Sequence, residues 1–534
     1  MPLRPLRPLT PTKLVIALLI GGGLVRLWLA SSIGLGVDES YMVAIARHWS
    51  LSYFDHPPLA FWLVGATRWL VGGESAALLR VPFILLFAGS SWLLFRLTAR
   101  LFGEWAGWYS ALLFNLAPVF TLSTASWILP DGLLIFWWLV SLSCLLHVVP
   151  SNPSHHHQPA IWGWWLASGI ALGLAMLSKY TAVFLPLAVL VFLLSHPHHR
   201  RWLRHPAPWI AAALAIALFS PVIIWNSQHQ WISLAFQGNR GLPSATQASI
   251  ALYPEKMAAA LAGQAAYLLP WLWLPLMIVL LHAFGRGLRD PSARVSPAWL
   301  CSVSAVIMIG FFALTALWAG GRSLPHWPSP GYLMALPLLG AAIDAARTGK
   351  LATIRLFTPS RRLIDRWLWG SGLILLLLIL LLRWYIDSGW VRHQWPALMR
   401  QDPTVELMDW DALPNALAAR GLLDYPRLLV ASPHWAQAGK IDRALAGRLP
   451  VQCLGDDPRH YGMLADRDRY RGWDVLLVLV KKRHEAPPTL AEVQQQFGRY
   501  ADDLAPLTTV PVGQADYPSL QLYLYGGKNF SGLP

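Results

Sequence analysis

The stretch KLVIALLIGGGLVRLWLASSIGLGVDESY, residues 13–41, joins an apolar run to a pair of acids. The apolar part, from Leu14 to Ala30, approaches the roughly 20 residues that cross a bilayer and follows a basic N-terminus. It ends in SSIGLG without a convincing signal-peptide cleavage site, and many apolar runs follow. The pattern predicts an uncleaved first membrane span, with Asp38 and Glu39 just beyond its outer end.

The composition of the chain is that of a membrane protein. Of its 534 residues, 55% are hydrophobic and only 13% are charged, which is about half the charged fraction of a soluble domain. The formal net charge is +15, but the basic residues are scattered between apolar runs. This distribution argues against nucleic acid as a partner and favours cytoplasmic loops that face anionic membrane lipids. The three cysteines have no metal-binding or disulfide spacing.

The apolar runs predict an α-helical polytopic membrane protein with about 11–13 transmembrane helices. Eleven runs are assigned as spans: 14–32, 76–97, 105–124, 129–149, 161–178, 180–195, 208–225, 261–283, 298–318, 331–346 and 367–385. The stretch 57–72 is apolar but short, and Pro57 and Pro58 stand at its start. It is expected to be either an interfacial helix or a twelfth span.

The distribution of charge between loops predicts the orientation. With the N-terminus in the cytoplasm, alternate loops carry clusters of arginine, including Arg200, Arg201 and Arg204, whereas the opposite loops carry few basic residues. Lysine and arginine concentrate on the cytoplasmic side of membrane proteins. We therefore expect a bacterial inner-membrane protein whose N-terminus is cytoplasmic.

The character of the sequence changes after residue 385, where charge becomes denser and the apolar runs shorten. The strings RLLVAS (427–432), DVLLVLV (474–480) and QLYLY (521–525) predict strands, and 434–446 predicts a helix. The sequence thus divides into a transmembrane domain at 1–385, with a first outer loop at 33–75, and a small α/β domain at 386–534. The α/β domain is expected on the periplasmic face.

The first outer loop contains four ionisable groups within a short stretch near lipid. They are Asp38, Glu39, Asp55 and His56. Such groups are costly next to a bilayer and are often functional. A simpler interpretation is that Asp38 only caps a helix over residues 39–49.

Other candidate residues lie at the same predicted outer level. Asp131 stands one turn into an apolar run, where a carboxylate needs a partner or a water-filled cavity. Lys179 could bind a phosphate as a point charge, and Arg322 and His326 lie among prolines in a short turn that suits an anionic group. Each position also has a structural alternative. Asp131 could be an acid favoured by the helix dipole, Lys179 could extend its ammonium group to the lipid headgroups, and Arg322 and His326 could lie in a rigid surface turn.

Several strings resemble glycosyltransferase family 39 and its bacterial relatives in the GT-C superfamily. The strings are VDESY, YFDHPPL, LPDGLL, LSKYTAV, FSPVIIWN and LPHWPSPGY, in family order across residues 34–333. The functional relatives include lipid A aminoarabinose transferases and lipopolysaccharide galacturonic acid transferases, with protein O-mannosyltransferases more distant. Each string is weak alone, whereas the ordered set is fairly specific.

The resemblance implies a sugar donor on a polyprenyl phosphate and inverting transfer to an acceptor at the outer leaflet. It assigns Asp38 as the base, with Glu39 beside it, and places Tyr53, Asp55 and His56 in a second motif that contacts the donor phosphate. The aminoarabinose enzymes have YFEKP at that motif, and His56 replaces their lysine. This departure makes aminoarabinose a less expected sugar, and Lys179 or Arg322 could supply the missing charge.

The main hypothesis is therefore an inner-membrane glycosyltransferase with a lipid or glycan acceptor, such as lipid A or lipopolysaccharide. Asp38 would act as base, and Glu39 would shape the site or join Asp38 in holding a divalent cation, Mg²⁺ or Mn²⁺. Asp131, Lys179, Arg322 and His326 would serve the donor phosphate or the substrate. The alternatives are a transporter or flippase for a lipid-linked substrate, a protein O-mannosyltransferase, and a non-catalytic assembly protein.

Overall fold

A computed structural model describes residues 9–149, 159–241, 252–318, 324–349, 360–390, 394–395, 402–464, 467–514 and 517–532. The chain forms two compact units that interleave along the sequence. The bundle unit contains the described residues of Met1–Leu27, His56–Ala60 and Val81–Leu377. The other unit, called here the sheet unit, contains those of Trp28–Asp55, Phe61–Arg80 and Leu378–Pro534.

Helices, most of them long, account for most of the described residues up to residue 390. In chain order they are α1 (Pro11–Ser32), α2 (Val37–Ile45), α3 (Leu59–Val71), α4 (Ala76–Phe102), α5 (Glu104–Leu116), α6 (Pro118–Ser123), α7 (Pro130–Val148), α8 (Pro159–Ser178), α9 (Phe184–Leu194), α10 (Pro197–Arg200), α11 (Pro206–Gln228), α12 (Ile232–Gly241), α13 (Pro254–Leu268), α14 (Pro270–Arg289), α15 (Pro297–Trp318), α16 (Ser329–Thr348) and α17 (Arg361–Ser388). Many begin at a proline, whose fixed φ and missing N–H suit the first helical position.

Within the described residues, eight helices are long and apolar enough to cross a membrane. They are α1, α4, α7, α8, α11, α14, α15 and α17, and a ninth span arises if the bent pair Tyr180–Leu194 and Pro197–Arg204 counts as one. The chain is thus a multi-span membrane protein, as the apolar runs predicted. α3 has 13 residues, about 20 Å at 1.5 Å per residue, which is too short to span and excludes a twelfth span at 57–72.

Two of the eleven predicted spans are interrupted, and proline is the reason in both. The run 105–124 divides between α5 and α6 at Pro118, and the run 261–283 divides between α13 and α14 at Pro270. Proline has no N–H to donate and its ring clashes with the preceding turn. Leu269, between α13 and α14, also has a positive φ of 72°. Hydropathy averages over such breaks and therefore cannot detect them.

Small residues let helices of the bundle unit approach closely. A Cβ on Gly340 of α16 would stand 2.4 Å from the carbonyl oxygen of Ala106 on α5. A Cβ on Gly169 of α8 would stand at the same distance from the carbonyl oxygen of Ala211 on α11. Lipid is as apolar as these side chains, so helices in a membrane associate through close backbone packing rather than through the hydrophobic effect.

The C-terminal part of the sheet unit is a five-stranded sheet with short helices. Its elements are α18 (Ala412–Ala418), β1 (Leu428–Ser432), α19 (Trp435–Leu445), β2 (Val451–Cys453), β3 (Asp474–Lys482), α20 (Leu490–Phe497), β4 (Asp502–Gln514) and β5 (Tyr517–Lys528). The strand order is β2-β1-β3-β5-β4, with β1 parallel to both neighbours and the β3–β5 and β5–β4 pairs antiparallel. The predicted class, a helical membrane protein with a small α/β domain, is confirmed.

The predicted strands and helix of this domain are confirmed, and two strands were not predicted. β2 has only three residues, too few for a pattern. β4 contains Pro506 and Pro511, which sequence rules count against a strand. It lies at the edge of the sheet, where a strand tolerates proline because its outward N–H groups have no partner strand.

Candidate functional site

The first cluster of candidate residues lies in the sheet unit and is called here the acid cluster: Asp38, Glu39, Tyr41, Asp55, Arg80 and Arg459. Its first two acids belong to α2, which begins at Val37 and not after Asp38. The N–H of Gly36 donates to Oε2 of Glu39 at 2.8 Å. The expectation that Asp38 caps a helix over 39–49 is therefore wrong, because Asp38 lies inside the first turn and the capping carboxylate is that of Glu39.

Glu39 is held in a buried ion pair with Arg80 at the start of α4. Arg80 donates to Oε1 at 2.8 Å and to Oε2 at 2.6 Å, and the side chains of Glu39 and Arg80 are 3% and 2% exposed. Arg80 also donates to the carbonyl oxygens of Ile33 and Gly34, at 2.7 and 2.9 Å. Such a two-pronged pair fixes direction as well as charge. It ties the chain after α1 to the first turn of α2.

Asp38 differs from its neighbours because its surface is exposed, whereas residues Glu39 to Ile45 are buried. No hydrogen bond or ion pair of its carboxylate is found among the described residues. Loss of hydration raises the pKa of Asp38 to about 6, and the negative charge of Asp55 acts in the same direction while Arg459 opposes it. The carboxylate is thus reachable but poorly hydrated, which suits a base that works near neutral pH.

Asp55 is buried and is held by two groups. The hydroxyl of Tyr41 donates to its Oδ1 at 3.1 Å, and Arg459 donates to its Oδ2 at 3.3 Å. The same hydroxyl accepts from the backbone N–H of His460 at 3.2 Å. Tyr41 therefore links a carboxylate of the first outer loop to the C-terminal domain, and Asp55 is oriented from two sides.

Tyr53 supports this arrangement by packing. Its ring stacks on Phe61 with centroids 4.0 Å apart and lies 4.9 Å from the ring of His460. Its hydroxyl donates to the carbonyl oxygen of His48 at 3.1 Å. Among the contacts of the described residues, Tyr53 is thus a buried packing residue of the first outer loop.

Helices α2 and α19 pack against each other at a glycine. A Cβ on Gly439 would stand 2.9 Å from Cα and 3.0 Å from N of Tyr41, so no side chain fits without moving backbone. Nearby, Arg47 binds Glu74 through two hydrogen bonds of 2.7 Å and also pairs with Asp442. These contacts set the position of Tyr41 and hence of Asp55.

Replacing Gly439 with Ala is expected to lower the free energy of unfolding by about 1–3 kcal/mol, because the added methyl group overpacks a backbone contact. Thermal unfolding of the detergent-solubilised protein measures this change. Gly370 of α17 is a matched control, since a Cβ there meets nothing within 4 Å. Gly370→Ala should leave stability equal or slightly higher. Equal melting temperatures for the two variants would contradict the close approach.

The second cluster lies in the bundle unit and is called here the bundle cluster: His56, Asp131, Lys179 and His326. Asp131 is in the first turn of α7, and Lys179 precedes a 3₁₀ turn at Tyr180–Val183. Lys179 donates to both oxygens of Asp131, at 2.8 and 2.9 Å, and both side chains are largely buried. A charged side chain buried in a membrane bundle needs a partner, and Asp131 and Lys179 provide this for each other.

His56 and His326 are the other titratable groups that act electrostatically on Asp131. Burial lowers the pKa of His326 to about 4, with Lys179 acting in the same direction and Asp131 opposing. His326 is therefore neutral at physiological pH and offers a hydrogen bond rather than a charge. Arg322, the remaining predicted residue, lies outside the described residues.

The acid cluster does not fit the divalent cation that Asp38 and Glu39 were predicted to hold. Both oxygens of Glu39 are bonded to Arg80, and the guanidinium of Arg459 opposes a cation beside Asp55. Within the described part of the chain, no group of three or more His, Cys, Asp and Glu side chains could hold a metal. A cation requirement of the protein stays a prediction.

Several residues of these clusters were not predicted from the sequence. Tyr41 stands in the quoted VDESY string, and Arg80 is an arginine at the outer end of a predicted span, a position that by itself suggests a functional or paired charge. Arg459 and His460 carry no such signal, because they lie about 400 residues from Asp55 in the sequence.

Comparisons with known proteins agree with the helical architecture. Residues 55–225 match the family model described as dolichyl-phosphate-mannose-protein mannosyltransferase. The structure of ArnT from Cupriavidus metallidurans bound to undecaprenyl phosphate superposes with a TM-score of 0.59, at 16% identity, over 96% of this chain and 97% of ArnT. The apo form of ArnT gives a TM-score of 0.57. The chain has the fold of ArnT.

Two curated relatives are similar to this chain over part of their length. Lipid A galacturonosyltransferase RgtD of Rhizobium johnstonii is 26% identical over 219 residues, which cover 39% of this chain and 44% of RgtD. The lipopolysaccharide core galacturonosyltransferase RgtB of the same organism is 25% identical over 346 residues, 62% and 65% of the two chains. The chain thus spans between about two fifths and two thirds of the length of the curated relatives it matches. The resemblance recognised from the ordered strings is confirmed.

Proposed function

We propose that the chain is a bacterial inner-membrane glycosyltransferase that moves a sugar from a polyprenyl-phosphate donor to a lipid or glycan acceptor of the lipopolysaccharide class. The observation that carries the proposal is the exposed, poorly hydrated carboxylate of Asp38 beside the fixed acids Glu39 and Asp55. The GT-C fold and the names of the curated relatives support the reaction class. The loop charges support an outer, periplasmic location for the chemistry.

In the proposed step, an acceptor hydroxyl oxygen attacks C1 of the donor sugar and forms the new glycosidic bond. The bond between C1 and the phosphate oxygen breaks, and its electron pair leaves with the polyprenyl phosphate. Asp38 takes the proton of the hydroxyl, which requires Asp38 to be ionised. A single displacement of this kind inverts the configuration at C1.

We assign the bundle cluster to the phosphate of the donor. Lys179 supplies a positive charge whose orientation is fixed by Asp131, and neutral His326 supplies a hydrogen bond. Positive charge and hydrogen-bond donors stabilise the charge that develops on a leaving phosphate. ArnT, which has the same fold, is bound to undecaprenyl phosphate in one of its crystal structures, and this supports a donor of that type for the present chain.

The test compares lipopolysaccharide and membrane lipids from a deletion strain and a complemented strain by mass spectrometry, together with transfer by the purified protein. The donors would be polyprenyl-phosphate-linked galacturonic acid, aminoarabinose and mannose, offered with lipid A, core oligosaccharide or a protein acceptor. We expect galacturonic acid to be transferred to lipid A or core, because both curated relatives are named galacturonosyltransferases. Transfer to protein would favour an O-mannosyltransferase, and no transfer from any donor would overturn the proposal.

Replacing His326 with Asn is expected to lower kcat/KM by up to about 10²-fold, the cost of one charge-stabilising donor. The acid limb of the pH profile should stay near pH 6, because His326 has a pKa of about 4 and does not change charge between pH 5 and 8. Rates across that range measure both effects. Movement of the acid limb in this variant would show that His326, and not Asp38, titrates there.

A further inference from the structure

Arg459 occupies a constrained position in the C-terminal domain. It opens the 3₁₀ turn Arg459–Met463 that follows β2, and its φ is +51°. A residue with a Cβ meets a steric cost in this left-handed region. Such conformations persist where the surroundings fix them, and they concentrate at functional sites.

The contacts of Arg459 explain what fixes it. Its guanidinium lies 4.2 Å above the ring of Trp435, Nη1 is 3.3 Å from Oδ2 of Asp55 and Nε is 3.3 Å from Oδ2 of Asp457. Trp435 in turn meets the ring of Tyr41 edge-on, with centroids 5.2 Å apart. Arg459 thus bridges a carboxylate of the first outer loop and one of the C-terminal domain, and its side chain is only 13% exposed.

The negative charge that faces Asp38 comes from three elements. Glu39 belongs to α2, Asp55 follows in the first outer loop, and Glu406 belongs to the 3₁₀ turn Pro403–Leu407. Among the described residues whose charge acts on Asp38, Arg459 is the cation. Glu39 already has its own counter-charge in Arg80. Arg459 is consequently the group placed to offset the charge of Asp55.

We infer that Arg459 is a positioning residue of the proposed transfer reaction: it holds the carboxylate of Asp55 and offsets the negative charge that surrounds Asp38. The C-terminal domain then completes the acid cluster and is not a separate module for a partner. The inference rests on the proposed function, since it assigns a role in that reaction. It concerns a residue that contacts the other acids rather than the reacting atoms.

The test follows the ionisation of Asp38 without any substrate. The melting temperatures of wild type and D38N are measured from pH 4.5 to 8, and the slope of their difference against pH falls to half its maximum at the folded-state pKa of Asp38. This midpoint of the slope is expected near pH 6, and the same pair in an R459Q background should give a midpoint about half to one pH unit higher. R459K should restore most of the wild-type value. R469Q is the matched control, since Arg469 is an exposed arginine nearby in the sequence, and it should leave the midpoint unchanged.

A second variant covers the case in which R459Q does not fold. W435L removes the ring that shields the guanidinium from water, so it should shift the midpoint in the same direction by a smaller amount. A midpoint that stays in place in R459Q, or in W435L if R459Q is unfolded, overturns the inference. With an active donor and acceptor, the acid limb of kcat/KM should move with the midpoint. An absence of sugar transfer together with a shifted midpoint would refute the proposed function and leave the role of Arg459 standing.

Discussion

Asp38→Asn is expected to reduce sugar transfer by about 10²–10⁴-fold, the contribution of a positioned general base. Asparagine has nearly the same shape but cannot accept the proton of the acceptor hydroxyl. Initial rates with a polyprenyl-phosphate sugar measure the loss, and KM for the donor should change little, because the donor phosphate is assigned to other residues. Full activity of this variant would remove Asp38 as the base.

The same substitution is expected to make the protein more stable at neutral pH. The folded-state pKa of Asp38 is about 6, above its usual value of 3.8, so between these two pH values the folded state binds more protons than the unfolded state. Stability from this group is therefore present at low pH and is lost as pH rises through the window from about 4 to 6. D38N carries no such charge. Its melting temperature should exceed that of wild type at pH 7.5, with a smaller excess at pH 5.

Glu39→Gln is expected to destabilise the protein by about 3–5 kcal/mol, because it leaves the buried guanidinium of Arg80 without its counter-charge. Activity should fall as well, since the pair fixes the turn of α2 that carries Asp38. Chemical or thermal unfolding in detergent, followed by intrinsic tryptophan fluorescence, measures the loss. The double variant E39Q/R80M should recover part of the stability, because it removes both charges together.

Glu104 provides the matched control for this prediction. It is an exposed glutamate in the first turn of α5, where a carboxylate contributes only about 0.3–1 kcal/mol through the helix dipole. E104Q should therefore change the melting temperature much less than E39Q. A similar small change in both variants would mean that the Glu39–Arg80 pair contributes little to the fold.

The membrane class, most of the spans and the strands of the C-terminal domain follow from the sequence alone. Apolar length and loop charge are one-dimensional properties, and the same residues that show them also form the helices. The predicted elements were wrong in two kinds of place. Within 261–283, the average hydropathy predicted one span, but Pro270 interrupts the helix. For β4, the prolines counted against a strand, but the strand forms because it lies at the edge of the sheet. Both failures reflect backbone hydrogen bonding, which hydropathy does not describe.

The candidate residues could also be predicted from the sequence, because an ionisable group in an apolar or juxtamembrane segment costs free energy and is often functional. That rule pointed to Asp38, Glu39, Asp55, Asp131 and Lys179. The sequence could not determine how these groups differ in burial and in ion pairing. Glu39 and Asp38 are adjacent, yet one is buried against Arg80 and the other is exposed.

The sequence by itself therefore determined that this is a membrane protein, the type of most of its elements and a set of ionisable residues near the ends of its helices. Only the tertiary structure decided which of these residues are already paired, that Lys179 belongs to Asp131 and Glu39 to Arg80, and that Asp55 is held by Tyr41 and Arg459. The physical reason is that hydropathy and charge bias depend on local composition. Pairing and desolvation depend on distances between groups that the chain brings together from as far as about 400 residues apart.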